Sequence, residues 1–371
     1  MVRREKSGFT RWVNVPLLLI VALLALYGSV MVHSATSGMG AGEAMFQRHL
    51  IGIGLGLALM AIAWRIDYRG FEGWLGPLVA LNAFLILSPR IPGLGATAKG
   101  ATAWLEIAGV RLFQPSEPAK LVTILIMAIV ISRFRGRIES GRDVAKVLGH
   151  LAIPLALILL QPDLGTGLVF VAITLGMLLI GGMKARWFVV IALVGILAVG
   201  VVLKADVLAE YQKNRLLVFV DPSLDPRGAG YNLAQSKIAI GSGGVTGKGL
   251  TSGTQGNLNF LPERHTDFIF SVLGEELGFA GAVVLLGLYL ALLITALEIS
   301  AQSRDLFGSL IAAGLISMWV FQILENVGMT IGLMPITGIP LPFMSFGSSF
   351  MIANFAGTGM LLSVWARRYG T

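Results

Sequence analysis

The 371 residues contain no cysteine, which excludes disulfides, thiol catalysis and cysteine-ligated metal. Histidine is nearly as scarce, and His33, His49, His150 and His265 are scattered without the spacing of a zinc site. Charge is thin: Asp, Glu, Lys and Arg make up 13% of the chain, against about 25% in a soluble domain. No internal repeat is visible, which gives no support to an inverted-repeat transporter. No basic patch interleaved with aromatics accompanies the net charge of +8, so the sequence offers nothing for nucleic acid.

Apolar length fills the space that these absences leave. The chain is 55% hydrophobic, with a mean hydropathy of +0.80. Apolar runs of about 18 to 23 residues recur along it, each long enough to cross a bilayer core of ~30 Å. Without water to satisfy the backbone, such runs must be helical. The expected fold is therefore all-α: one polytopic membrane domain over residues 1–371, with about ten transmembrane helices. The expected spans are Val13–Val32, Leu50–Trp64, Trp74–Ser88, Glu117–Ile131, Val147–Leu160, Leu168–Ile180, Trp187–Leu203, Asp267–Leu297, one starting at Leu306, and Phe346–Trp365. Arg3, Arg4, Lys6 and Arg11 before the first run suit an uncleaved first helix with its N-terminus inside. The most basic short loop, with Arg133, Arg135, Arg137, Arg142 and Lys146, is placed in the cytoplasm, and the alternation puts both termini there. One large extracytoplasmic loop, residues 204–266, separates spans seven and eight.

The chain is organised around the stretch from Gly241 to Gly278, a Gly-rich polar loop that passes through Pro262-Glu263-Arg264-His265-Thr266-Asp267 into an apolar run. An ionisable cluster at the mouth of a membrane span marks a functional site. Asp267 is the leading candidate for a general base acting on a hydroxyl; the competing role for Thr266 or Asp267 is to cap the eighth helix. Glu117 and Lys120 share a helix face, as an intrahelical ion pair or as a phosphate-binding pair in which Lys120 meets the phosphate. Asp163, in Gln161-Pro162-Asp163-Leu164-Gly165-Thr166-Gly167, is either a turn residue or part of a lining. Glu275 and Glu276, about two turns inside the eighth span, must face the bundle interior or water. Gln322, Asn326 and Thr330, with Glu325 beside them, form a stripe suited to interhelical hydrogen bonds. The GSGGVTGKG stretch is not a phosphate loop: Ser242 and Gly249 break the motif, and no strand precedes it.

Three blocks resemble the SEDS family (shape, elongation, division and sporulation proteins), most closely its RodA branch. They are KGATAWLEIAGVRLFQPSEPAK at Lys99–Lys120, GKGLTSGTQGNLNFLPERHTDFIFSVLGEELG at Gly247–Gly278, and GLMPITGIPLPFMSFGSSF at Gly332–Phe350. The resemblance implies a glycosyltransferase of the bacterial cytoplasmic membrane. Such enzymes polymerise lipid II, an undecaprenyl-diphosphate sugar, into glycan strands at the outer face during elongation, with inversion. Carried onto this sequence, the family's essential Asp falls on Asp267. Its other motif positions fall on Trp104, Glu117, Lys120 and Asp163. The implied partners are a class B penicillin-binding transpeptidase and other membrane proteins of the elongation complex.

The diphosphate leaving group calls for positive charge from Lys120, from Arg215 or Arg264, or from a divalent cation, Mg or Mn, with Asp267 and Glu117 as its candidate ligands. The chain departs from the pattern at Ala103, where relatives often carry Arg, and at Ser345-Phe346-Gly347-Ser348-Ser349, where Ser-Tyr-Gly-Gly-Ser is usual. Thr337 stands where the division branch has Lys, which favours elongation. The alternatives are a lipid II flippase, whose charges would sit near the bilayer midplane, and a non-catalytic scaffold for the transpeptidase.

Overall fold

The structure, a computed structural model, describes residues 12–204, 218–254 and 260–369, apart from 92, 94, 99, 100, 108, 109, 220 and 227. The described residues form eleven α-helices and one small sheet. The helices are α1 (Val15–Thr36), α2 (Gly42–Arg65), α3 (Leu75–Leu87), α4 (Ser116–Ser132), α5 (Gly141–Leu159), α6 (Leu164–Ile180), α7 (Ala185–Lys204), α8 (Ala229–Gly243), α9 (Ile269–Ala301), α10 (Leu306–Ile331) and α11 (Ser348–Ala366). All but α8 fall on the ten expected spans, and the protein is a polytopic all-α membrane protein. By length and apolarity alone, α1, α2, α9, α10 and α11 could each cross a membrane. The second span starts earlier than expected, at Gly42 rather than Leu50.

The polar residues that interrupt the apolar runs also start the helices. The Asn14 side chain accepts from Leu17 N at 3.0 Å to begin α1, Ser140 and Asp143 form a capping box on α5, and Asp305 caps α10 through Gly308 N at 2.7 Å. Each cap satisfies backbone donors that a helix start leaves open. The core lies where α10 meets α4, α6 and α11. There Trp319 Nε1 donates to Asn354 Oδ1 at 2.7 Å, and Phe343 packs between Trp319 and Phe355.

Two features lie outside the expected plan. The segment between α3 and α4 carries an antiparallel sheet in the order β1 (Gly95–Ala98), β2 (Ala101–Ile107), β3 (Val110–Phe113). Its second strand carries Trp104. The large loop contains α8, whose Leu233 joins Leu261, Phe268, Met329 and Ile336 in a satellite core.

The largest correction concerns the eighth span. It is not one run, because α9 breaks at Gly278, where φ is 62° and ψ is −160°, a conformation open essentially to glycine alone. The break leaves backbone groups without helical partners, and the Gly-rich loop supplies them. Lys248 N and Gly249 N donate to the carbonyls of Glu275 and Glu276 at 3.0 and 2.9 Å. Phe279 N and Ala280 N donate to the carbonyls of Gly244 and Val245 at 2.9 and 3.0 Å. The GSGGVTGKG stretch is thus the complement of a broken helix.

Glu275 and Glu276 therefore sit at the break and not deep in a continuous span. Glu275 accepts from Lys248 Nζ at 2.7 Å and from Thr254 N and Oγ1 at 2.8 and 2.9 Å. Both Glu276 oxygens accept from Ser34 Oγ, at 2.7 and 2.6 Å, and Ser34 Oγ in turn accepts from Thr251 N. The pair clasps the large loop to α1 and α9, the hydrogen-bonding role that its burial implied.

Candidate active site

A cavity of about 540 Å³ opens at the end of the bundle where α4, α6, α11 and the segments 263–267 and 335–340 converge. It gathers Asp267, Glu117, Lys120, Asp163 and Trp104 into one lining. These residues are up to 163 positions apart in the chain, from Trp104 to Asp267.

Glu117 and Lys120 occupy the first turn of α4, which starts after Pro115. Lys120 Nζ lies 2.7 Å from Glu117 Oε2, with both side chains about 5% exposed. On the other side Lys120 Nζ lies 5.3 Å from the centre of the Phe350 ring. The intrahelical pair is thus present and forms part of the cavity wall. A buried pair of this kind is costly to break from one side, because the remaining charge is left desolvated.

Asp163 caps α6: its Oδ1 accepts from Thr166 N at 3.0 Å and its Oδ2 from Thr166 Oγ1 at 2.7 Å. It is a turn residue and a lining residue at once, close enough for its charge to act on Glu117.

Asp267 stands two residues before the first helical residue of α9, Ile269. The cap of α9 is Phe268, with no side-chain cap bond, and Thr266 Oγ1 donates instead to the carbonyl and Oε2 of Glu263. The backbone of Asp267 is fixed on both sides. Its N–H donates to the Glu263 carbonyl at 3.1 Å, and its carbonyl accepts from Asn326 Nδ2 at 2.9 Å. Asn326 Nδ2 also donates to Ile339 O at 2.8 Å. The polar stripe on α10 thus ties the Asp267 segment to the irregular segment that follows α10, as buried non-helical backbone requires.

Two sequence candidates are not in the cavity wall. Arg264 is 1% exposed, and its Nε donates to Ala35 O at 2.7 Å, which anchors the 263–267 segment on α1. Burial lowers its pKa from the ordinary arginine value, and the Glu276 carboxylate opposes that shift. Arg264 braces the site from outside and does not line it. Arg215 lies outside the described residues. In its place the wall holds a cation that the sequence reading passed over, Arg48 on the first two turns of α2. Arg48 is exposed and has no ion pair among the described residues. The signal was its position, just before an apolar run whose helix starts eight residues earlier than composition suggested.

Asp267 and Glu117, the candidate metal ligands, both line the cavity. Glu117 is paired with Lys120 at 2.7 Å, and no three His, Asp or Glu side chains among the described residues are grouped to hold a metal ion. The departures from the family pattern also find places. Ala103 is 4% exposed in the cavity wall, and Thr337 Oγ1 donates to Glu325 Oε1 beside it. At Ser348 the backbone approach is made from the partner helix: a Cβ on Gly52 of α2 would stand 2.9 Å from Ser348 Cα.

Comparison with known proteins places this architecture. Residues 14–369 match the family model described as cell cycle protein, covering FtsW, RodA and SpoVE. Peptidoglycan glycosyltransferase MrdB of Escherichia coli strain K12 is 39% identical over 352 residues, 95% of this chain and 93% of that protein. Stage V sporulation protein E of Bacillus subtilis strain 168 is 36% identical over 355 residues, 94% of this chain and 95% of that protein. Among solved structures, the rod shape determining protein RodA of Thermus thermophilus superposes with a TM-score of 0.71 at 29% identity, covering 96% of this chain and 98% of that one. A chain of a peptidoglycan synthase complex, solved in a study of coordinated polymerization and crosslinking, superposes with a TM-score of 0.80 at 30% identity, covering 96% and 99%.

Proposed function

The chain belongs to the FtsW, RodA and SpoVE family of cell cycle proteins, and we propose from its cavity that it is a RodA-type peptidoglycan glycosyltransferase of the bacterial inner membrane, polymerising lipid II at the outer face. The observation that carries this reading is the convergence of Asp267 with the Glu117–Lys120 pair and Arg48 on one cavity, at loop–helix junctions at one end of the bundle.

In the proposed reaction the acceptor's 4-hydroxyl lies against Asp267, which takes its proton as the oxygen attacks the anomeric carbon of the donor. A new C–O bond forms, and the bond to the diphosphate breaks with its electron pair. The developing negative charge falls to Arg48 and Lys120, placed to stabilise it without a protein acid. One base and one displacement invert the centre without a covalent intermediate. In this scheme the positive charge that the diphosphate needs is held by side chains.

The termini are proposed to be cytoplasmic, which sets the cavity outward, and a class B penicillin-binding transpeptidase is the proposed partner that crosslinks the product. The test is glycan polymerisation from lipid II by purified protein, alone and with its transpeptidase, beside a lipid II scrambling assay in liposomes. Polymer is the expected product. Scrambling without polymer in either condition would overturn the enzyme in favour of a flippase.

A further inference from the structure

At the end of the bundle opposite the cavity, the loop after α4 and the turn between α6 and α7 are joined into one basic platform. Ile138 and Met183 pair as an isolated parallel bridge. Arg186 Nη2 and Trp187 Nε1 both donate to the Glu139 carbonyl, at 3.0 and 3.1 Å, and Lys184 Nζ lies 3.6 Å from the Glu139 carboxylate. Asp143, the other acid of this region, is engaged in the Ser140 capping box. Both nearby carboxylates are therefore taken, yet Arg133, Arg135, Arg137 and Arg142 are all exposed and make no ion pair among the described residues. The contrast at the same end of the bundle is sharp: Arg69 and Arg367 engage Asp67, and Arg367 also reaches the carbonyls of Trp64 and Arg65.

The platform stands where apolar surface ends. Val189, Leu193 and Leu197 repeat along one outward face of α7, at 60%, 57% and 69% exposure. Trp187 begins that helix with the Arg186 guanidinium 5.3 Å from its ring, an arrangement typical of a membrane–water interface. Arginine forks offer paired donors to phosphate oxygens. An apolar helix running from a cluster of unpaired arginines matches a molecule with acyl chains and a charged phosphate.

We propose that this platform is a binding site for anionic phospholipid, with headgroup phosphate over Arg133, Arg135, Arg137 and Arg142 and acyl chains along α7. A topology signal needs only the number of these charges. It does not need two loops held together by a shared carbonyl, an ion pair and a backbone bridge, with both acids withdrawn from the arginines.

The experiment uses the full chain in detergent, titrated with phosphatidylglycerol, phosphatidylcholine or inorganic phosphate, and reads bound lipid by native mass spectrometry and unfolding temperature by fluorescence. Phosphatidylglycerol is expected to bind and raise the unfolding temperature, with phosphatidylcholine at least tenfold weaker. The fourfold Arg→Gln variant at 133, 135, 137 and 142 should lose that preference, since each basic residue beside an anionic headgroup contributes roughly fivefold. The fourfold Arg→Lys variant keeps the charge needed for insertion and should bind with reduced affinity, because the forked donors are gone. Equal binding of both lipids, an undiminished preference in the Gln variant, or in the Lys variant if the Gln variant does not insert, or an equal effect of inorganic phosphate would each overturn the proposal. Lipid II polymerisation by the Lys variant should stay at the wild-type level, so the outcome is separable from that of the proposed enzyme activity.

Discussion

Gly278→Ala tests the account of the broken helix. Alanine at φ 62° and ψ −160° is strained by about 1–3 kcal/mol. Its Cβ would also press on Gly247 N and stand 2.7 Å from Val245 O. If the helix relieves that strain by straightening, the backbone bonds to Lys248, Gly249, Gly244 and Val245 are lost, at about 0.5–1.5 kcal/mol each. Either route costs on the order of 3 kcal/mol, which for a chain this long lowers the unfolding temperature by roughly 4 °C. The control is Gly287→Ala in the same helix, where a Cβ meets nothing within 4 Å and the change should be neutral or slightly stabilising. Thermal unfolding in detergent gives the first readout. Tryptic cleavage after Lys248, which Glu275 now holds at 2.7 Å, gives the second. Gly278→Ala with wild-type unfolding temperature and an equally protected loop would refute the idea that the Gly-rich stretch completes the helix.

Other consequences follow from the same geometry. Glu117→Gln and Lys120→Met should each destabilise by about 3–5 kcal/mol, because each leaves a desolvated charge, while the double variant should cost less than either, as thermal unfolding would show. Arg48→Ala should cut the rate of lipid II polymerisation by tenfold or more with little change in stability, since its side chain is exposed and makes no ion pair among the described residues. Asn326→Ala should cost about 1–3 kcal/mol by orphaning the Asp267 and Ile339 carbonyls, and should lower activity through the misplaced Asp267, measured by unfolding and polymerisation on one preparation.

The ten apolar helices were legible because length and apolarity in a bilayer leave the backbone no alternative. The small helix Ala229–Gly243 was not, since its buried face is Leu233, Ser236 and Ala239 and its composition is that of a polar loop. The break at Gly278 lies inside an apolar run, and its cause, four partners from Gly244 to Gly249, is nonlocal. The same divide runs through the site. Asp267, Glu117, Lys120 and Asp163 stood out as polar groups at span edges, Trp104 came only with the family resemblance, and the structure brings all five together. Arg264 stood out for the same reason and turned out to anchor on Ala35. Arg48 looked like an ordinary flanking charge, because nothing in its neighbourhood in the chain points towards Asp267, which is brought to it by the packing of α2 on α11.

The central claim is that Asp267 is the base of a lipid II polymerase, and the most direct measurement is polymerisation by purified Asp267→Asn protein with its transpeptidase. The account predicts no glycan product, with the unfolding temperature and lipid II binding close to wild type, because the amide keeps the shape and the backbone bonds but cannot take a proton. Wild-type polymerisation by Asp267→Asn would contradict it.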